Sequence, residues 1–176
     1  MKDWNLILSL DVFLFCEGSF NGGTMMTTLN GSVPLIQPYS EIPWNYNGDE
    51  NVLSMPANIV DWVILELRDA ASPELAMSGT VLMKKAALLR NDGKVAGMDR
   101  QSFVEFETTF TQGLFVVIHH RNHLSINSSA SLSESGGVYS WNFTNNSNMV
   151  YGSTDSQKEI APCVPGHDYL ILLYSS

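Results

Sequence analysis

Positive charge is scarce in this sequence. Nine Lys and Arg residues stand against eighteen Asp and Glu residues, so the formal net charge is −9. Binding to a nucleic-acid backbone and docking to an anionic membrane surface both depend on clustered Lys and Arg. We therefore predict no nucleic-acid partner. Charged residues of both signs make up only 15% of the chain, against about 25% in soluble domains, and Asn, Ser, Thr and Gly supply the remaining polarity.

A long hydrophobic run is also missing, since a membrane-spanning helix needs about 18 apolar residues. The apolar stretch at residues 6–16 superficially resembles a signal peptide that ends at a lipid-modified cysteine. Asp3 and Asp11 disrupt the charge pattern, and Phe15 replaces the small residue that precedes a cleavage point. We interpret the stretch as a first β-strand, predict no membrane insertion, and expect any export signal to lie upstream.

Cysteine is nearly absent, with Cys16 and Cys163 lying near opposite ends of the chain. A disulfide between them would close a long loop and stabilise the fold. Because pairing cannot be deduced from sequence, both states remain open, and we favour two unpaired, buried thiols. No CxxC spacing of the metal-binding type occurs.

Helical periodicity is almost absent, whereas apolar and polar residues alternate in several segments. The clearest strand is predicted at residues 59–67, where Glu66 and Arg68 fall on the face opposite Val63 and Leu65. Residues 80–89 have a composition that a helix would accept, but the turn at residues 91–93 favours a strand that enters a hairpin. Further strands are predicted at residues 7–14, 24–29, 103–110, 114–118, 124–126 and 138–143, and a proline-bearing loop at residues 33–47.

Short strands at intervals of about 8–12 residues are typical of an all-β sandwich. We predict one domain at residues 1–162, built as an antiparallel β-sandwich that is immunoglobulin-like in general architecture. Residues 163–176 form an atypical C-terminal tail, whose apolar run at residues 169–174 fits either a final edge strand or a stretch unrelated to the domain.

The densest group of chemically versatile side chains is His119, His120, Arg121 and His123. On a strand, His119, Arg121 and His123 would share one face. Zinc requires converging imidazoles and usually a carboxylate or thiolate. The nearest carboxylate in the sequence is Glu107, and the strand that bears Glu66 could supply others. Two interpretations stay open: a polar strand end whose imidazoles bond to backbone or carboxylates, which we favour, and a metal site.

Glu66 and Arg68 interrupt a strand that is otherwise apolar. If this face is buried, each needs the other or a partner such as Asp61 or Arg121, because an unpaired buried charge is strongly destabilising. The pair is interpreted either as part of an internal ion-pair network, which we favour, or as an acid and a cation that grip a ligand.

Aromatic rings could form a platform for a sugar, because flat apolar faces with polar edges suit pyranose rings. Trp44 and Tyr46, in the proline-bearing loop, are the two that we assign to a ligand site, and Trp62 and Trp141 are further candidates. The same rings also fit core packing and loop anchoring, which we favour.

Catalytic and cofactor motifs are missing as well. The sequence contains no GxSxG elbow, no phosphate-binding GxxxxGK[ST], no GxGxxG and no calcium loop. Glu105 and Glu107 could be a carboxylate pair, but they are first interpreted as surface residues. We predict no cofactor and no enzymatic activity.

Several stretches resemble an uncharacterised module found near the C-termini of large secreted or surface proteins of Bacteroidetes. The similarity extends from about residue 10 to 162 and is carried by the runs EGSFNG (17–22), PLIQPY (34–39), PWNY (43–46), VDWVILELRDA (60–70) and LFVVIHHRNHL (114–124), and by Tyr151-Gly152 and Lys158-Glu159. The resemblance implies a β-rich, non-catalytic unit that commonly precedes a dockerin-like calcium-binding segment and a sorting signal. It assigns no ligand residues, and the sequence after Pro162 departs from the expected pattern.

Together these observations predict a non-catalytic accessory or interaction module of an exported or cell-surface protein, with a spacer role or a role in adhesion or glycan contact. The expected partners are neighbouring domains of a larger parent protein and a glycan or protein ligand. The alternative is a metal-dependent or carboxylate hydrolase that uses His119, His120 and His123. The candidate ligand-binding residues are Trp44, Tyr46, Glu66, Arg68, His119, His120, Arg121 and His123.

Overall fold

A computed structural model of the chain describes residues 7–98, 103–146, 148–152, 157–159 and 169–171. Within these residues the secondary structure is β-strand with short 3-10 turns, and no helix of membrane-spanning length and hydrophobicity occurs. The strands, in chain order, are β1 (Ile7–Phe13), β2 (Phe20–Asn21), β3 (Thr24–Met25), β4 (Ile59–Ala70), β5 (Val81–Arg90), β6 (Val95–Ala96), β7 (Val104–Glu107), β8 (Gly113–His120), β9 (His123–Asn127), β10 (Ser133–Ser135), β11 (Val138–Asn142), β12 (Gln157–Glu159) and β13 (Tyr169–Ile171).

Two large sheets build the fold. One has the strand order β6-β5-β4-β8-β9 and is antiparallel throughout, and the other has the order β10-β11-β1-β7. Alternate residues of β1, β4 and β8, such as Leu10, Leu65 and Val116, meet in one buried core between the sheets. The predicted all-β sandwich is confirmed, with one departure from a fully antiparallel arrangement, because β1 and β11 pair in parallel.

The central strands follow the sequence prediction closely. Residues 80–89 do form a strand, β5, and the turn at residues 91–93 leads into β6, which pairs with it. β4 places Val63, Leu65 and Leu67 in the inter-sheet core, as alternation predicts. Strand β10 escaped prediction because its three residues, Ser-Glu-Ser, are all exposed and show no apolar alternation.

The loop between β3 and β4 covers the outer face of the five-stranded sheet. It contributes Tyr39, which is fully buried with Trp62 and Ile64 in a second, smaller core. The Tyr39 hydroxyl donates to the Trp62 carbonyl over 2.6 Å, and Trp62 Nε1 donates to the Pro34 carbonyl over 2.7 Å. The sheet is therefore buried on both faces at this end, which explains why β4 is apolar on both sides.

Near the C-terminus, β12 pairs with β13, so this pairing crosses the predicted domain boundary at residue 162. Gln157 anchors β12 to the sandwich, since its Nε2 donates to the Phe143 carbonyl over 2.6 Å. Backbone hydrogen bonds to Asn127 and Ser129 also hold residues 149–151 beside β9 and the segment that follows it. Of the predicted tail, Tyr169–Ile171 form β13, and Cys163 and the other residues lie outside the described part of the chain.

Candidate functional site

The predicted histidine cluster is divided between two sites. Strand β8 ends at His120 and β9 begins at His123, so the chain reverses at Arg121 and Asn122. His120 and His123 become register partners, while His119 pairs with Ile64 of β4. The expectation that His119, Arg121 and His123 share one face of a strand is therefore wrong, because the turn removes the alternation.

His119 belongs to what we call the Glu66 cluster: Glu66, Arg68, Lys84 and His119. Arg68 Nη2 lies 2.5 Å from Glu66 Oε1, and Lys84 Nζ lies 2.9 Å from Oε2. His119 Nε2 lies 3.3 Å from the same Oε2, and its Nδ1 lies 2.6 Å from the Ser125 hydroxyl. Glu66 and Lys84 are register partners on β4 and β5, which explains how the sheet brings them together.

The electrostatics of this cluster favour an ionised Glu66 whose negative charge is balanced by the neighbouring cations. Burial alone would raise the pKa of Glu66, but its contacts with His119, Lys84 and Arg68 outweigh burial and hold the pKa at about 2. A carboxylate with so low a pKa is a poor general base and cannot act as an acid near neutral pH. Of the two interpretations of Glu66 and Arg68, the geometry favours the internal ion-pair network.

The second site is the Asp61 cluster: Asp61, His120, Arg121 and His123. Asp61 is buried at the beginning of β4 and accepts from the Trp62 backbone N–H over 2.8 Å. Arg121 binds both carboxylate oxygens, with Nη2 3.0 Å from Oδ1 and Nε 3.0 Å from Oδ2. His120 Nε2 lies 3.1 Å from Oδ2.

Two contacts define the protonation of His120. Its Nδ1 accepts from the Asn122 backbone N–H over 3.2 Å, so this nitrogen carries no proton. Nε2 must then carry the proton and donate a hydrogen bond to Asp61. His120 is consequently a neutral donor held in one tautomer. Burial opposes ionisation of Asp61, but His120, Trp62 and Arg121 together lower its pKa below the usual value.

His123 stacks on His120, with ring centroids 4.2 Å apart and planes inclined by 26°. Burial lowers the pKa of His123 to about 4. Lone pairs of stacked rings lie in nearly parallel planes, so they do not converge on one ion as a tetrahedral zinc site requires. Within the described residues, no group of three or more His, Cys, Asp or Glu side chains could hold a metal.

A pocket of about 200 Å³ opens beside the Asp61 cluster. Its wall combines the apolar Met26, Leu29 and Val33 with the polar Arg121 and Asn122. Cys16 also lines it as a free, buried thiol, and burial together with nearby Asp61 raises its pKa to about 12. The thiolate that nucleophilic catalysis requires is therefore strongly disfavoured.

Trp44 and Tyr46 pack against the second core. Trp44 makes an edge-to-face contact with Tyr39 at 5.1 Å, and the Tyr46 hydroxyl bonds to Glu50 over 2.5 Å. Burial and Glu50 raise the pKa of Tyr46. Trp62 is fully buried, and Trp141 is half-buried and donates to the Met149 carbonyl. The described structure therefore joins none of these rings to the histidines.

Lys84 and Cys16 are among the site residues that the sequence did not indicate. Lys84, which interrupts an apolar strand, carries the same signal that marked Glu66, and cross-strand pairing of opposite charges could have linked them. Cys16 carried no such signal, because nothing in the sequence places the end of the β1 segment beside Asp61.

No family model, curated protein or solved structure matches this chain. The resemblance to the Bacteroidetes module therefore depends only on the residue runs quoted above.

Proposed function

We propose that the protein is a non-catalytic interaction module of a larger exported or cell-surface protein. In this role it positions neighbouring domains and contacts a glycan or protein ligand. The resemblance to C-terminal modules of secreted and surface proteins supports the cellular setting, and the immunoglobulin-like architecture belongs to the same proposal.

The observation that carries the proposal is that both buried carboxylates beside the histidines are neutralised by neighbouring groups. Glu66 faces two cations and His119, and Asp61 accepts from Arg121, His120 and the Trp62 backbone. A hydrolase that used one of these carboxylates as its general base would need that carboxylate free to take a proton from water. Charges that are satisfied by each other are instead typical of a structural role.

The pocket beside the Asp61 cluster supports binding without chemistry. Arg121 is bound to Asp61 through two of its nitrogens, yet its side chain remains 32% exposed. Its remaining N–H groups and the Asn122 amide are the groups that could orient a ligand, while Leu29 and Met26 at the wall are exposed apolar residues. A small mixed pocket of this kind suits one side chain or one sugar unit.

Thermal unfolding with zinc, calcium or EDTA, combined with a panel of chromogenic ester, peptide and glycoside substrates, tests the proposal. A ligand present at one hundred times its dissociation constant adds about 2.7 kcal/mol, or roughly 5–10 °C in a chain of this size. We expect no shift with zinc or EDTA and no turnover. Zinc-dependent turnover that His120→Ala abolishes and His119→Ala retains would refute the proposal and establish the hydrolase.

A further inference from the structure

The four-stranded sheet carries a groove on its outer face, away from both histidine sites. Register pairing aligns Ser133 of β10, Ser140 of β11 and Asp11 of β1 in one row across three strands. The next row on that face contains Phe13 and its register partner Asn142. Because Leu10 and Val12 of β1 point into the core, Asp11 between them points outward, and Phe13 at the end of the strand is half-buried and also contacts the core.

Lys94 closes one side of this groove. The turn before β6 brings Lys94 into a backbone bridge with Phe13, and the Leu14 N–H donates to the Gly93 carbonyl over 2.9 Å. Gly93 has a φ of +90°, and a Cβ there would lie 2.6 Å from the Phe13 ring. Only glycine fits this approach, so the turn holds Lys94 at a fixed place beside β1.

Together these residues, which we call the sheet groove (Asp11, Phe13, Lys94, Ser133, Ser140 and Asn142), surround about 290 Å³. This volume lies near the lower end of the roughly 300–1,000 Å³ of small-molecule clefts. A ligand of one or two sugar units, or the end of a longer chain, matches such a space better than a folded partner does.

The charges in the groove favour a neutral ligand rich in hydroxyl groups. Lys94 Nζ and Asp11 Oδ1 are 4.0 Å apart, and the two side chains are 37% and 31% exposed. At this separation they neutralise each other while remaining accessible to a ligand. Adjacent hydroxyl groups could donate to the carboxylate and accept from the ammonium group. A polyanion would be repelled by the net charge of −9.

An apolar surface and a pre-positioned amide complete the groove. The half-buried residues Phe13 and Trp141 both line it while also packing against the inter-sheet core, and an exposed aromatic edge can pack against the C–H face of a sugar. The Asn142 side chain is held by the Thr144 N–H over 2.8 Å and by Asn145 over 2.9 Å. Little conformational entropy is then lost when a ligand binds.

From these observations we propose that the sheet groove binds a neutral carbohydrate. The inference rests on the proposed function as an interaction module and identifies a second contact surface, separate from the pocket beside Asp61. Free oligosaccharides, cell-wall polysaccharides and protein-linked glycans present the same hydroxyl chemistry, so the experiment must distinguish these sources.

Titration of the ¹⁵N-labelled full chain tests the inference, with backbone amide shifts as the readout. The probes are neutral gluco-, manno-, galacto- and xylo-oligosaccharides up to about 10 mM, with the corresponding polysaccharides and a released N-glycan pool as separate arms. Polygalacturonate serves as the anionic control. Asp11→Ala and Lys94→Ala are compared with Glu107→Ala, which removes a charge from an exposed position of the same sheet.

We expect at least one neutral probe to shift amides of β1, β11 and the turn before β6. Asp11→Ala and Lys94→Ala should each weaken binding about tenfold, or about 1.4 kcal/mol, while Glu107→Ala leaves it unchanged. The wild-type shift map identifies the site even if a groove variant unfolds. Binding that maps elsewhere, binding of polygalacturonate alone, or no neutral binding in any arm would overturn the inference. None of these outcomes would by itself refute the non-catalytic module, which only turnover contradicts.

Discussion

The Glu66 cluster and the Asp61 cluster contain the same kinds of side chain, but they occupy different parts of the sandwich. Glu66 lies within β4, and its two cationic partners come from the same strand and from β5. Asp61 lies at the beginning of β4, where a turn supplies one cation and one neutral imidazole beside an open pocket. The difference indicates that the first cluster stabilises the sheet, whereas the second leaves room for a ligand.

The largest effect should come from removing the charge at the cluster within the sheet. Glu66→Gln would leave Arg68 and Lys84 without their shared counter-charge, so we expect a loss of about 3–5 kcal/mol in the free energy of unfolding. Urea denaturation measures it, with exposed Glu105→Gln as the control expected to stay within about 0.5 kcal/mol. Equal, small effects at both positions would mean that the Glu66 cluster contributes no stability.

A smaller loss is expected at the cluster beside the pocket. Asp61→Asn leaves only one cation, Arg121, without its counter-charge, and Arg121 is partly hydrated. We therefore expect the free energy of unfolding to fall by about 2 kcal/mol. The same urea series measures it. If Asp61→Asn proved more destabilising than Glu66→Gln, the assignment of the main stabilising role to the Glu66 cluster would be reversed.

The pH dependence should separate the two clusters. The pKa of His123 is lowered from 6.5 to about 4, so the unfolded chain takes up a proton first as the pH falls and stability is lost between these values. Because solvent partly screens His123, we expect the free energy of unfolding to fall by about 1–2 kcal/mol over this pH range. The pKa of Glu66 is lowered from 4.5 to about 2, so its contribution is complete above pH 4.5 and is lost as the pH falls towards 2.

His123→Gln is the matched variant for that experiment. It should flatten the curve of unfolding free energy between pH 6.5 and 4 and leave the decline below pH 4.5 in place. A slope between pH 6.5 and 4 that is unchanged in His123→Gln would show that this imidazole is not held neutral by the fold.

The smallest effect concerns the thiol in the pocket wall. In a Cys163→Ser background, Cys16 should react with a thiol reagent at pH 8 far more slowly in the folded protein than in urea, because its pKa is about 12 and it is buried. The rate of colour release from an aromatic disulfide reagent measures this. Fast labelling of the folded chain would indicate an accessible thiolate and would favour catalysis at the Asp61 cluster.

Strand alternation predicted the Glu66 cluster more completely than the Asp61 cluster. The period of two along β4 placed Glu66 and Arg68 on one face, and the sheet added Lys84 through simple register. The Asp61 cluster depends on where β8 turns back, and no Gly or Pro marks the reversal at Arg121 and Asn122. The sheet groove depends on the parallel pairing of β1 with β11, a long-range contact that local patterns do not encode.

Imidazole nitrogen NMR of the ¹⁵N-labelled chain, recorded at pH 7 with and without zinc, tests the central claim most directly. The account predicts that His120 is neutral with its proton on Nε2, that His123 is also neutral, and that zinc changes neither signal. Zinc-dependent shifts of the His120 and His123 nitrogens together would show that the rings converge on a metal. That result would contradict the description of the Asp61 cluster as a hydrogen-bonded ion-pair network, and it would favour the metal-dependent hydrolase over the proposed module.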